Sequence, residues 1–136
     1  SSPAIGVMVA NILKEKAKLE NKKDFIEKRK GITKFMSLQA EEKNKLIKEN
    51  PLYGHIICRC EKITEGEIVE AIKSPIGARS LDGVKRRVRA GLGRCQGGFC
   101  SPKIMEILAR ELKIDILNIT KSEKGSEILK GINKEI

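Results

Sequence analysis

All four cysteines of this 136-residue chain fall in two close pairs, Cys58-x-Cys60 and Cys95-x4-Cys100, with 34 residues between the pairs. No cysteine is left over. Any fold of this chain must therefore bring two short segments, distant in sequence, to one place, either through cross-links or around a bound group. In a secreted chain the same four residues would read as two disulfides. No basic region precedes an apolar export segment here, and no apolar run approaches the ~20 residues of a membrane span, so the sequence expects a cytoplasmic protein and a metal or redox role for the thiols.

Thiolates rather than thiols bind metals, and the surroundings of the two pairs favour the thiolate. Arg59, Lys62 and Arg94 are adjacent, a helix is expected to begin after Cys100, and Gly91, Gly93, Gly97 and Gly98 free the backbone to approach sulfur closely. The same cations and amides would offset the roughly two net negative charges of an oxidised two-iron, two-sulfur cluster held by four thiolates. Structural zinc also takes four cysteines, although its ligand pairs are commonly spaced by about two to four residues and the C-x-C pair departs from that. Spacing favours iron–sulfur, with zinc and disulfides left as alternatives. His55, three residues before Cys58, is read as a partly exposed loop histidine, because four cysteines already fill a cluster's ligand set.

What surrounds the cysteines reads as mainly α. Aromatic residues make up 3% of the chain and Trp is absent, so the core must come from Ile, Leu, Val and Ala. Residues 1 to 20 predict an amphipathic helix, with Pro3 in its first turn and Ile5, Val9, Ile12 and Leu13 on a face that should pack. From Glu20 to Lys34 the Lys, Glu and Asn content suits an exposed connector anchored by Phe25, Ile26 and Ile32. Ser37 is expected to cap a helix running to about Glu49, with Leu38, Leu46 and Ile47 inward, and Asn50-Pro51 ends it.

Tyr53 to Arg59 suits an extended segment that delivers Cys58 and Cys60. Thr64-Glu65-Gly66-Glu67 forms a capping box for a helix with Ile68, Val69 and Ile72 inward, stopping before Ser74-Pro75. Asp82 should cap a second helix carrying Val84 and Val88, closed by Gly91, and Ser101-Pro102 should open a third with Ile104, Ile107, Leu108 and Leu112 on one face. Near Ile116 to Ile119 a strand or short helical turn is expected, and the extreme end should fray.

The formal charge of +10 raises the question of a nucleic-acid partner. Lys and Glu alternate through residues 14 to 48 as on a solvated helix surface, and too few aromatics exist to stack bases, so no nucleic acid is expected. The Arg86-Arg87-x-Arg89 run could face an acidic electron-transfer partner, against the plainer reading of a solvated helix face.

At ICRCEKITEGEI followed by DGVKRRVRAGLGRCQGGFCSPKI the chain closely resembles the bacterioferritin-associated-ferredoxin-like (BFD-like) 2Fe-2S domain. The version it resembles lies at the C-terminus of FAD-dependent oxidoreductases of the anaerobic glycerol-3-phosphate dehydrogenase type. The resemblance spans residues 53 to 121. SSPAIG resembles the start of the last helix of the flavin domain in such enzymes, and NPLYG their linker.

This resemblance implies a small helical domain in which helix-turn units wrap the cluster, with Cys58, Cys60, Cys95 and Cys100 as ligands. It implies three parts: residues 1–50, a helix and charged linker from a flavin-binding domain; 51–121, the 2Fe-2S domain; 122–136, a tail. Electrons would come one at a time from reduced FAD in the flavin domain of the same polypeptide and pass to an acceptor protein or subunit. The chain carries no G-x-G-x-x-G after a strand and no candidate general base, so catalysis and FAD are assigned to the parent enzyme, of which this chain is expected to be a piece. A zinc-bound or metal-free docking module, and a metal-delivery or redox-sensing protein, remain the rival functions.

Overall fold

The computed structural model describes residues 1–17, 19–20, 22–131 and 133. The chain forms two compact units, Ser1–Lys30 and Gly31–Ile136.

The first unit contains one helix, α1 (Ser2–Lys16), with Pro3 in its first turn and Lys14 and Lys16 at its negative end. It closes at Ala17, whose N–H donates to the Leu13 carbonyl. It is shorter than the 1–20 expected, and its apolar face is uncovered: Ile5, Val9, Ile12 and Leu13 are all exposed. Phe25 and Ile26, expected anchors, are also exposed, whereas Ile32 packs on the core of the second unit, to which it belongs.

The second unit is mainly α with a two-stranded ribbon. Its first segment is fastened by side chains. The Thr33 N–H donates to Glu70 Oε2 at 2.9 Å and the Phe35 N–H to Glu67 Oε1 at 3.2 Å. A 3₁₀ turn over Phe35–Ser37 buries the Phe35 ring, stacked on Tyr53 at 5.9 Å. Helix α2 (Ala40–Glu49) is capped by Gln39, not Ser37. Ser37 is already committed to the 3₁₀ turn, so the start shifts two residues to where Glu42 accepts the Gln39 N–H at 2.9 Å. Leu38, Leu46 and Ile47 are half-buried as expected. Asn50 ends α2, and its side chain accepts from the Leu52 N–H to begin a second 3₁₀ turn, Pro51–Gly54.

Strands β1 (Ile56–Cys58) and β2 (Ile63–Thr64) pair antiparallel, with Ile56 opposite Thr64 and Cys58 opposite Ile63. Thr64 then caps α3 (Glu65–Lys73). Its hydroxyl accepts the Glu67 N–H at 3.3 Å while the Glu67 carboxylate accepts the Thr64 N–H at 2.9 Å, the predicted capping box. This is the central helix of the unit, with Ile68, Val69, Ala71 and Ile72 buried. It ends before Ser74-Pro75 as expected.

Helix α4 (Leu81–Val88) buries Val84 and Val88, but Ser80 caps it through the Gly83 N–H at 3.2 Å. Asp82 lies in the first turn and pairs with Lys121 at 3.1 Å. At the other end the helix closes at Arg89, in the left-handed conformation at φ 65°, two residues before Gly91, which also has a positive φ of 91°; the Arg89 side chain is held by Glu61 at 2.9 Å, which fixes the turn one residue after the helix. Helix α5 (Ser101–Leu112) is capped by Cys100 instead of Ser101, and buries Ile104, Met105, Ile107 and Leu108. A 3₁₀ turn over Ile116–Asn118 leads to the buried Ile119, after which the carbonyls of Thr120 and Lys121 accept N–H groups from the start of α4. The expected fraying of the extreme end falls mostly on residues 132 and 134–136, outside the described ones.

Candidate metal centre

Three elements converge on the cysteines. β1 places Cys58 on the core side, 1% exposed, and the turn after it carries Cys60 to the surface. The glycine-rich turn holds Cys95 half-exposed, and Cys100 caps α5 at 2% exposure. All four line one cavity of about 360 Å³, together with Ile56, Phe99, Arg59 and Lys103. The Cys60 and Cys95 sulfurs stand 3.8 Å apart, and Cys58 lies against Cys100. The thiols thus form two pairs on one cavity; among the described residues no three His, Cys, Asp or Glu side chains converge on a single point.

The two glycines that matter most are steric. A Cβ on Gly93 would overlap the Cys60 Cβ, so only glycine lets this turn close over the first cysteine pair. Gly97, at φ +89°, sits where a Cβ would press on the Ser101 hydroxyl, and it turns the chain from Cys95 toward α5.

Electrostatics separate the sulfurs. The N–H groups of Phe99 and then Gly97 donate to Cys95 and hold its thiol below the ordinary range, against the opposing effect of burial; the Cys60 thiol and the Gly98 N–H add to the lowering. Burial, then the Cys58 charge, push Cys100 up to about 11. Burial thus opposes the thiolate that the helix N-terminus was expected to favour at Cys100. Burial and the neighbouring thiol outweigh the backbone amide that lowers its value. A donor set of four thiols around one cavity, with amides aimed at Cys95, fits a cysteine-ligated binuclear cluster.

His55 is turned to other work: its Nδ1 pairs with Glu65 at 3.2 Å, and its side chain is 64% exposed. The arginine run is also largely engaged. Arg87 donates to the carbonyls of Ile76 and Gly83, and Arg89 pairs with Glu61. Sequence reading missed Phe99 and Lys103 as cavity residues. Lys103 lies one helical turn from Cys100, a spacing that could have revealed it.

Residues 56–110 match the BFD-like 2Fe-2S binding domain, and this part of the chain is such a domain. Relatives named as dehydrogenases and oxidases share this segment. The chain is 56% identical over 135 residues to glycerol 3-phosphate dehydrogenase of Caloramator mitchellensis, covering 98% of this chain and 28% of that protein. It is 32% identical over 83 residues to one subunit of the anaerobic glycerol-3-phosphate dehydrogenase of Escherichia coli, covering 61% of this chain and 14% of that protein. It is 43% identical over 60 residues to one subunit of the opine oxidase of Rhizobium meliloti, covering 43% of this chain and 11% of that protein. The chain therefore spans little more than a quarter, at most, of these curated relatives. No solved structure matches it.

Proposed function

We propose that the chain is the electron-transfer region of an FAD-dependent oxidoreductase of the glycerol-3-phosphate dehydrogenase type, with Cys58, Cys60, Cys95 and Cys100 as ligands of a 2Fe-2S cluster. The observation that carries this reading is the gathering of all four thiols on one cavity within the matched segment. When bound, the cluster would accept and release one electron at a time, coupling a two-electron flavin to one-electron carriers. The chain's own residues hold it: Cys58 and Cys100 anchor its buried side, and Cys60 and Cys95 present the other side to the surface.

Residues 1–50 would then be the last helix and linker of a flavin domain, 51–121 the cluster domain and 122–136 a tail. In this reading α3–α4 and α5 with its following turn are the helix-turn units around the cluster. The parent enzyme would be cytoplasmic; among the described residues no helix is long and apolar enough to cross a membrane.

Anaerobic reconstitution tests the reading. Iron and acid-labile sulfide in equal amounts, with a paramagnetic signal on reduction, are expected, and Cys60→Ser or Cys95→Ser should deplete both while His55→Ala leaves the absorption unchanged. One zinc and no sulfide under those conditions would overturn it.

A further inference from the structure

Phe99 is 87% exposed, more than any other large apolar side chain described in the second unit. Its backbone is not loose, since its N–H is spent on Cys95. The turn that shapes the thiol site therefore holds this ring out into solvent, on the lip of the cavity that all four cysteines line. Ile56, 49% exposed, forms part of the same lip.

The charged members of the lip are Arg59 and Lys103, both exposed, and among the described residues no carboxylate lines the cavity. Some cations elsewhere in the unit are matched, Lys73 and Arg110 with Glu111, Arg89 with Glu61, Lys121 with Asp82, while others such as Lys85, Arg86 and Arg94 also stand outside any ion pair among the described residues but do not border the thiol cavity. Among the described residues Arg59 and Lys103 take part in no ion pair. Cys60 and Cys95, the two more accessible thiols, open onto this same face.

An apolar centre with an aromatic anchor, ringed by unmatched charge of one sign, is the composition of a transient docking surface, and its sign selects the partner. We propose that this lip docks a small acidic one-electron carrier protein, with Phe99 as the anchor and Arg59 and Lys103 steering the approach. The proposal rests on the electron-transfer reading above. In each encounter one electron leaves this domain and one enters the carrier, with no bond made or broken.

The test uses the reconstituted full chain, with iron and sulfide measured first for every variant. After reduction it is mixed in a stopped-flow instrument with one of two haem probes, the acidic cytochrome b5 or the basic cytochrome c. The expected second-order rate with cytochrome b5 falls about tenfold or more from low to high salt, as steered association does, and the rate with cytochrome c does not fall. Arg59→Glu combined with Lys103→Glu should exchange these two salt dependences. Phe99→Ala should slow the cytochrome b5 reaction severalfold with its salt slope unchanged, and weaken the shift changes that the oxidised chain induces in labelled cytochrome b5.

Intact cluster with equal salt slopes for both probes overturns the docking proposal alone. So does a charge-reversed variant whose reduction potential moves while both slopes stay put, because the two cations then serve only the bound cluster's charge. Absence of iron and sulfide from the wild-type chain overturns both readings together.

Discussion

Gly93→Ala isolates a single contact at the heart of the site. The added methyl would occupy the space of the Cys60 Cβ, whereas carbon atoms in comfortable contact stand about 3.5–4.0 Å apart. The methyl and the Cys60 Cβ must therefore separate by more than an ångström, yet the Gly93 carbonyl is held by the Gln96 N–H and the Cys60 turn is closed by the pairing of β1 with β2. Overpacking of this kind costs about 1–3 kcal/mol. Trimming sulfur does not relieve it, since Cys60→Ser keeps the offending Cβ, while Cys60→Gly removes that carbon. Urea titration of the reduced, cluster-free chain in all four combinations gives the coupling, which should be about 1–3 kcal/mol and close to the whole cost of Gly93→Ala. If Gly93→Ala costs the same with glycine at 60 as with cysteine, the close approach of the two turns is not what requires a glycine at 93.

Three further outcomes follow from the geometry. Glu67→Gln removes one acceptor from a buried carboxylate that serves the Thr64 N–H, the Thr64 hydroxyl and the Phe35 N–H, and should lower stability by about 1–3 kcal/mol, read as a lower urea midpoint at unchanged slope. Glu111 is held below the usual carboxylate range by Lys73 first, with Arg110 adding to it against burial. Its folded value is depressed, so its contribution is present above the unfolded value of about 4.3 and is lost as pH falls through the folded value. The stability difference between wild type and Glu111→Gln should therefore shrink on acidification below about pH 4 and stay level from pH 5 to 7; a difference that grows on acidification would refute the ion-pair assignment. Finally, diamide treatment of the cluster-free chain should join Cys60 to Cys95, whose sulfurs are 3.8 Å apart at the surface, before it touches the buried Cys58 and Cys100. Peptide mapping that finds a Cys58–Cys100 link first would show that access does not govern their oxidation.

The parts of this fold that were legible in the sequence are those set by local chemistry. The Thr64/Glu67 box, the stop at Ser74-Pro75, the break at Asn50-Pro51 and the inward face of α5 each depend on residues within a few positions of one another. The displaced caps were hidden by competition. Ser37 was taken by a 3₁₀ turn, Asp82 by Lys121 across 39 residues, and the end of α4 by Glu61 across 28. The opposing effect of burial at Cys100 was hidden for a similar reason: its proximity to a helix start is readable, but its burial against Cys58 is a tertiary fact. Phe99 went unseen because nothing in a linear pattern tells which turn side chains share a cavity wall, whereas the one-turn spacing of Lys103 from Cys100 was a signal left unused.

Glu67 and Glu70 stand nearly one helical turn apart on α3, and each takes a backbone N–H from the segment that precedes α2. Glu70 also takes the Tyr53 hydroxyl at 2.9 Å. They act as two rungs on which an upstream strip of chain is hung. A polypeptide shortened to begin at residue 56, where the matched segment begins, would leave Glu67 without the Phe35 N–H and Glu70 without both of its donors. Beginning at Gly31 keeps both rungs occupied, so any attempt to isolate the cysteine-bearing unit should cut there, some two dozen residues ahead of the segment by which the family is recognised.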